Sequence, residues 1–405
     1  MHTTRVAIVG AGLSGLYAAY LLEQQGITDY VLLEARDGVG GRIDSPPAAG
    51  PRAVDALGAL HGETVQKIEG GEASIGAVAP SRQRDVPRSA TVDRVDLGPT
   101  WFWPGYQHQL ARLVDGLGLE SFAQHDTGDT VVERSRHEPT TRVRGYANSP
   151  PSMRLVGGMG ALTDALHQRL GVTRVHTGHA VRRLRIADQC VEIDTETAQG
   201  HGTTWRAEHV LLALPPRLLA SSIDFAPALP SALAQQWRNT DTWMAPHAKY
   251  VAVYGTAFWR EQGLSGDARS ALGPLGEIHD ASMPGGSAAL FGFFGVPAQV
   301  RQSVSEIELL AHCRTQLVRL FGSQAATPVA EFIKDWAADP RTASAADLQG
   351  SGQHPQPPAT AATSGPWKDR AMGIGSEWSP QFPGYLAGAV EAAALGVAAW
   401  HALAA

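Results

Sequence analysis

Three glycines near the N-terminus constrain the fold more than any other feature of this chain. Gly10, Gly12 and Gly15 stand between a short apolar run, Val6–Val9, and a stretch with helical spacing of apolar residues, Leu13–Gln25. In a strand–turn–helix unit the first glycine permits the tight turn, the second lets the backbone approach a pyrophosphate, and the third lets the helix pack closely on the strand. The helix N-terminus then offers free amides and partial positive charge to phosphates. The pattern therefore predicts a dinucleotide-binding βαβ unit.

The second strand of this unit is followed by an acid. Tyr30–Leu33 has the composition of a buried strand, and Glu34 comes directly after it. This is about 20 residues beyond the glycines, where an acid accepts a hydrogen bond from a ribose hydroxyl. An acid here disfavours the 2′-phosphate of NADP. The glycines and Glu34 by themselves leave FAD and NAD as alternatives.

The bulk composition is that of an ordinary globular protein. The chain has 405 residues, of which 43% are apolar, and a formal net charge of −6. This length suggests two or three domains. A nucleic-acid partner would require a basic face, and the densest basic cluster (Arg174, Arg182, Arg183 and Arg185) falls in a strand-like segment whose charged face is expected in solvent. We also find no histidines at metal-ligand spacing, so no metal site is predicted.

Cysteine usage and the apolar segments bear on the compartment. Cys190 and Cys313 are far apart and form neither a disulfide framework nor a CxxC motif, which fits a reducing, cytoplasmic location. The apolar run from Val6 to Leu22 is broken by glycines and lacks a cleavage site, so no secretory signal is predicted. The Ala-rich tail from Gly388 to Ala405 looks too short and too small in side chain for a membrane span. We therefore predict a packed C-terminal helix and no membrane anchor.

Beyond the βαβ unit, helical and strand-like segments alternate. Residues 45–92 are rich in Pro, Gly, Ser, Ala and charge, and predict a long loop excursion over the surface. Residues 121–152 look irregular or weakly stranded. Periodicity predicts helices at His108–Gly116, Ala161–Leu170, Val304–Phe321 and Gly384–Ala399, and strands at Val172–Val175, Ala180–Ile186, Val191–Thr195, Val210–Leu214, His247–Tyr254 and Ala289–Val296.

The residues after Glu34 favour FAD over NAD. The run Ala35-Arg36-Asp37-Gly38-Val39-Gly40-Gly41-Arg42 places a GGR turn after the glutamate. This pattern resembles the flavin-containing amine oxidase family, in which the loop wraps the FAD pyrophosphate. Further segments resemble the same family in the same order: Asp96–Trp101, Arg154–Gly160, Val210–Pro216, Phe258–Arg260, Glu277–Asp280, Gly373–Trp378 and Gly384–Ala389. The resemblance spans most of the chain outside residues 45–92 and 340–366.

The resemblance implies which residues contact FAD. They come from the glycine turn, the Glu34 segment, the GGR turn, the segment after the first crossover, a strand position beside the adenine, and the C-terminal strand and helix. The predicted set is Gly10, Gly12, Leu13, Ser14, Gly15, Glu34, Ala35, Arg36, Gly40, Gly41, Arg42, Gly98, Pro99, Thr100, Trp101, Val181, Glu377 and Leu386. Amides at about Leu386, at the start of the last helix, are expected to bind the flavin C2 carbonyl and stabilise negative charge on the reduced ring.

The resemblance also implies three residues around the reacting atoms. Lys249, which alternation places on one strand face with two valines, corresponds to a lysine that holds a water near flavin N5 and assists reoxidation. Tyr385 corresponds to one of the two tyrosines that orient the amine in monoamine oxidases. Such aromatic walls desolvate the nitrogen and steady residual positive charge. The other tyrosine aligns with Ala346, so Trp378 is the candidate for the second wall.

Two further differences from the family pattern lead to predictions about the cofactor and the shape of the site. Ala345 stands where some members attach FAD through a cysteine, so FAD is predicted to be bound non-covalently. The segment between Gly118 and Arg154 is short, whereas larger members carry much of a helical substrate domain there. This predicts a more open or differently roofed site, for which residues 45–92 are one candidate lid.

We therefore predict a mixed α/β (α+β) fold of two interleaved domains. A Rossmann-like FAD-binding domain is expected from residues 1–110, 152–228 and 335–405, and a sheet-plus-helices substrate domain from residues 111–151 and 229–334. The resemblance implies that a small-molecule amine is oxidised at its C–N bond to an imine by hydride transfer to flavin N5, and that O2 accepts the electrons and gives H2O2. Neither the particular amine nor the oligomeric state is indicated.

The sequence leaves other functions as alternatives. An L-amino-acid oxidase would need an arginine for the substrate carboxylate, and Arg154, Arg260 and Arg370 are candidates. Another FAD-dependent desaturase, a non-catalytic FAD-binding protein and an NAD-linked reductase are the other possibilities.

Overall fold

A computed structural model describes residues 2–50, 93–349, 354 and 356–404. The strands, numbered in chain order, are β1 His2–Val9, β2 Tyr30–Leu33, β3 Ser121–Ala123, β4 Asp129–Glu133, β5 Thr141–Arg144, β6 Met153–Leu155, β7 Val175–His176, β8 Ala180–Ala187, β9 Cys190–Glu196, β10 Gly202–Leu212, β11 Asp224–Ala226, β12 Ala248–Tyr254, β13 Leu264–Ser270, β14 Leu275–Asp280, β15 Ala288–Phe294, β16 Ala330–Asp335 and β17 Ala371–Gly373. The α-helices are α1 Leu13–Gln24, α2 His108–Gly116, α3 Gly160–His167, α4 Pro216–Ser222, α5 Ser231–Asn239, α6 Phe258–Glu261, α7 Ala298–Arg301, α8 Glu306–Phe321 and α9 Leu386–Ala404.

The first sheet is built around the predicted βαβ unit. Its strand order is β11-β8-β9-β10-β1-β2-β7, with β17 paired to β10. The central strands β10, β1 and β2 run parallel, and Val6, Ala7 and Ile8 of β1 are fully buried because the sheet is covered on both faces. Parallel sheets are typically covered in this way, which explains the continuous apolar runs in these strands.

The C-terminal helix α9 covers one face of this sheet together with α1. Ala387, Val390, Ala393 and Val397 of α9 pack in the same core as Leu16 and Leu22 of α1. Within the described residues, the Leu386–Leu403 segment is the one helix long and apolar enough to cross a membrane, so the prediction that the tail is too short is wrong. Half of that segment is buried against protein.

The second sheet is mainly antiparallel, in the order β16-β12-β15-β14-β13-β4-β5. Tyr250, Ala252 and Tyr254 of β12 face a core that includes helix α8. Val251 and Val253 face the opposite way, into a second core shared with residues 95–97. Alternation therefore places Lys249 on the face that meets the first sheet's loops.

The structure corrects one element prediction and agrees with another. Residues Val172–Arg174 form a 3-10 turn, and the strand begins only at Val175. Residues 121–152 contain three short strands, β3, β4 and β5, which agrees with the weakly stranded character predicted for them. Of the predicted excursion at 45–92, the part from 51 to 92 lies outside the described residues, while Pro47 pairs with Arg94 in an isolated bridge.

The predicted fold class is confirmed: a Rossmann-like unit is combined with a second sheet and helices. The first sheet takes its strands from residues 2–33, 175–226 and 371–373, and the second takes its strands from residues 129–144 and 248–335. The exact domain boundaries stay a prediction.

Candidate active site

A cavity of about 760 Å³ lies between the two sheets. Val9, Leu33 and Ala213, at or just beyond the carboxyl ends of β1, β2 and β10, line one side of it, and residues of β12, β14 and β15 line the other. This edge of an open parallel sheet is where such folds bind dinucleotides. Every residue of the predicted site lines the cavity except Gly15, Glu377 and Trp378.

The glycine turn and the GGR turn meet backbone to backbone. Gly12 and Gly40 form a parallel bridge, and a Cβ on Gly41 would lie 2.9 Å from the Gly12 Cα. A Cβ on Gly15 would overlap the Gly10 carbonyl oxygen, so Gly15 sets the packing of α1 on β1 and does not line the cavity. Helix α1 has no side-chain cap and no acid in its first turn. Its N-terminus thus presents bare amides and partial positive charge, which fits a pyrophosphate.

Glu34 is held in place for binding a donor. It is 4% exposed, its Oε2 accepts from the Ala11 amide at 2.7 Å, and its Oε1 accepts from the Arg36 amide at 2.8 Å. The ionised carboxylate keeps lone pairs for further donors. This arrangement fits the ribose hydroxyls of a dinucleotide.

Glu377 acts on the site through Arg42. It is fully buried, and its two carboxylate oxygens accept from the two terminal nitrogens of Arg42, whose Nη2 also donates to Ser376 Oγ at 3.1 Å. The prediction that Glu377 itself lines the cofactor site is therefore corrected: it fixes the arginine that does. The ion pair joins positions 335 residues apart in the chain, a partnership that local sequence patterns cannot show.

Lys249 is the most unusual cation of the cavity wall. It is 2% exposed and donates to the Gly98 carbonyl at 3.0 Å and, through a short contact, to Thr100 Oγ1. Its Nζ lies 4.0 Å from the ring centroid of Phe291. Burial lowers the pKa of Lys249 to about 7, although the nearby carboxylate of Asp96 acts in the opposite direction. Its amine therefore changes charge close to neutral pH.

The aromatic end of the cavity differs from the prediction. Trp378 is 2% exposed, packs edge-on against Trp237 at 5.6 Å and donates to the Ala359 carbonyl. It belongs to the core because Gly373 leaves room for its ring, so its assignment as a second wall is wrong. Ala346 is exposed in a short 3-10 helix and does not line the cavity.

The residues that stand beside Tyr385 are Trp243 and Trp103. Both line the cavity, with ring centroids 4.7 Å and 6.3 Å from that of Tyr385. Neither residue was predicted from the sequence. Trp103 lies two positions beyond the Asp96–Trp101 motif and could have been found from it, whereas Trp243 has no local signal. The ring of His354 stacks on that of Tyr385, with centroids 4.7 Å apart.

The similarity of the chain to known proteins identifies its family. The model of flavin-containing amine oxidoreductases matches residues 142–399, which is more than half of the chain. This chain belongs to that family. A model of NAD(P)-binding Rossmann-like domains matches residues 8–66, over the βαβ unit. The predicted family is thus confirmed, and with it FAD as the cofactor and flavin-dependent oxidation of amines as the activity.

Similar proteins within the amine oxidoreductase family are found by sequence and by structure. Putrescine oxidase of Kocuria rosea is 26% identical over 86% of this chain and 86% of its own. Amine oxidase B of Cavia porcellus is 25% identical over 96% of this chain and 84% of its own. The fold matches a putrescine oxidase structure with a TM-score of 0.73 at 21% identity, covering 99% of both chains. It also matches the cyclohexylamine oxidase of Brevibacterium oxydans with a TM-score of 0.74 at 20% identity, covering 99% of this chain and all of that one.

The three arginines considered for an amino-acid oxidase do not line the cavity of this family member. Arg154 is buried and donates to the carbonyls of Ala281 and Ser282. Arg260 forms a two-nitrogen contact with Asp280, and Arg370 donates to Gln189 at the surface. Their partners hold them elsewhere, so none of them binds a substrate carboxylate in this arrangement.

Proposed function

We propose that this amine oxidoreductase oxidises the C–N bond of a small amine at the end of the cavity where Lys249 and Tyr385 lie, with O2 as the electron acceptor and H2O2 as the product. The observation that carries the proposal is Lys249, a fully enclosed amine in the cavity wall whose pKa lies at about 7. Titratable groups shifted this far by burial in a cavity cluster at functional sites.

The residues of the first sheet fit FAD. The bare amides of α1 and the glycine turns suit the pyrophosphate, Glu34 suits a ribose, and the start of α9 at Leu386 suits the flavin end. When bound, FAD supplies the acceptor for the hydride and later passes the electrons to O2.

Lys249 and the aromatic side chains are the protein groups that act on water and on the substrate amine. A neutral Lys249 amine has two N–H donors, which the Gly98 carbonyl and Thr100 hydroxyl occupy, and one lone pair that accepts a hydrogen from water at Nζ. Tyr385, Trp103 and Trp243 exclude water from the substrate nitrogen, and this desolvation favours its neutral form. The imine product then leaves the cavity and hydrolyses in water.

We propose that FAD is bound without a covalent link. The two cysteines, Cys190 and Cys313, are free, and neither lines the cavity. Denaturing the purified yellow protein with acid should therefore release all of its FAD into the supernatant. Flavin that stays with the precipitated chain would contradict this.

A cytoplasmic location without a membrane anchor is proposed on two observations. Both thiols are unpaired, as expected in a reducing compartment. Half of the apolar segment of α9 is buried against α1 and its neighbours.

A peroxide assay across a substrate panel tests the proposed function. The panel contains aliphatic, cyclic and aryl-alkyl monoamines, diamines, and L-amino acids, each supplied to the FAD-loaded protein in air. We expect H2O2 with at least one simple amine and none with the amino acids. Peroxide formed only from carboxylate-bearing substrates would overturn the proposal in favour of an amino-acid oxidase.

A further inference from the structure

We propose that Arg269 is a specificity-determining residue, which caps Glu277 and excludes amines that carry a second positive charge. The inference rests on the proposed function, since it assumes that the substrate amine reacts beside Lys249. It extends the proposed function by stating which class of amines the cavity accepts.

The register of the second sheet places these residues in one row. Lys249 on β12 pairs with Phe293 on β15, Phe293 pairs with Glu277 on β14, and Glu277 pairs with Arg269 on β13. All four line the cavity. Neighbouring strands are about 4.8 Å apart, so Glu277 lies roughly 10 Å from Lys249 and Arg269 roughly 15 Å. An extended amine that reacts beside Lys249 brings its remote end to this pair.

Glu277 is already fully engaged within the protein. One carboxylate oxygen contacts His279 Nε2 at 2.7 Å, and the other forms a short ion pair with Arg269. These partners lower the pKa of Glu277 to about 2 despite its partial burial, which acts in the opposite direction. The carboxylate is therefore ionised and paired at any working pH.

His279 adds a second positive charge to the cluster. Its Nδ1 contacts Asp267 Oδ1 at 2.8 Å while its Nε2 contacts Glu277. A ring that meets carboxylate oxygens on both nitrogens is satisfied only when both nitrogens carry protons. Burial lowers the pKa of His279, but the two carboxylates outweigh burial and raise it above its usual value. Trp101 and Phe291 pack against the ring and hold it.

The four charges sum to zero, and the outermost of them is positive. The Arg269 side chain is 56% exposed, against 36% for Glu277, 22% for Asp267 and 12% for His279. A second ammonium that extends along the row from Lys249 meets a carboxylate whose two oxygens are both engaged, with the guanidinium directly beyond it. Such repulsive elements are a common means of rejecting a wrong ligand. A substrate with an apolar remote end encounters only a neutral cluster.

The test compares two substrates of matched size, 1,6-diaminohexane and 1-aminoheptane, which differ by an ammonium in place of a methyl group and are long enough to reach from Lys249 to Glu277. We expect the FAD-loaded wild-type protein to have a higher kcat/KM for 1-aminoheptane. In Arg269→Gln, Glu277 is uncapped, and the ratio of kcat/KM for the diamine to that for the monoamine should rise on the order of tenfold. The Arg269–Glu277 ion pair is about half exposed, so its loss should lower the free energy of unfolding only slightly.

Three further variants test whether the change in the ratio depends on the charge of Arg269 and on the carboxylate of Glu277. Arg269→Lys keeps the positive charge and should keep the exclusion. The double variant Arg269→Gln/Glu277→Gln should not show the raised diamine-to-monoamine ratio, because it lacks the free carboxylate that would attract the second ammonium. Arg144→Gln, at an exposed position outside the cavity, should leave the ratio unchanged.

The proposal is overturned if the wild type prefers the diamine, if Arg269→Gln leaves the ratio unchanged, or if the double variant keeps the raised ratio. Absence of turnover with every amine would overturn the proposed function, and this inference with it. Turnover with an unchanged ratio would overturn this inference alone.

Discussion

Replacing Lys249 with methionine should lower kcat for amine oxidation by roughly 100-fold or more, because a positioned proton-accepting group typically contributes 10²–10⁴-fold to the rate. FAD should remain bound, since the glycine turns and Glu34 that suit it lie on the other sheet. Methionine keeps most of the buried side-chain volume. The measurement is steady-state kinetics combined with the flavin content of the purified variant.

The pH dependence of kcat/KM tests the role assigned to Lys249. Its pKa lies at about 7, so the amine is charged below that pH and neutral above it. We expect kcat/KM of the wild type to rise with pH through about 7, because the charged form repels a cationic substrate and has no lone pair. Lys249→Met should lose this step. Lys334→Met, at the paired position on β16 but outside the cavity lining, is the matched control and should keep it. A wild-type profile that is flat across this range would contradict the assignment.

Replacing Gly41 with alanine should weaken FAD binding by roughly tenfold or more. Gly41 has a φ of +63°, a conformation that costs an alanine on the order of 1–2 kcal/mol. The added Cβ would also lie 2.9 Å from the Gly12 Cα, which forces apart the two turns that would hold the pyrophosphate. Titration of the apoprotein with FAD gives the dissociation constant.

Gly38→Ala is the control in the same loop. A Cβ at Gly38 has no atom within 4 Å, so this variant should bind FAD as the wild type does. Equal affinity of Gly41→Ala and the wild type would show that the turn does not bind the cofactor.

The parts of the molecule that local sequence signals determine could be predicted. The βαβ unit follows from three glycines and two apolar runs, and the structure has β1, α1 and β2 within a few residues of the predicted bounds. Alternation correctly groups Lys249 with Val251 and Val253 on one face of β12, because a strand turns successive side chains to opposite faces, and the structure shows that Lys249 on this face lines the cavity.

The remaining features depend on pairings between distant segments. The Arg269–Glu277 pair exists because β13 and β14 adopt one particular register, and Trp243 reaches Tyr385 across more than a hundred residues of chain. Trp378 was misassigned because its motif fixes the position of its backbone but not the burial of its ring, which depends on Gly373 and Trp237. Side-chain direction at such points is set by tertiary packing, which periodicity does not report.

Anaerobic mixing of the FAD-loaded protein with a simple amine tests the central claim most directly. We expect the visible absorbance of the oxidised flavin to disappear in a single turnover, with one equivalent of aldehyde or ketone formed per FAD after hydrolysis. The absorbance should return, with release of H2O2, when air is admitted. Flavin that stays bound and fully oxidised with every amine tested would contradict the claim that this cavity is an amine-oxidising site.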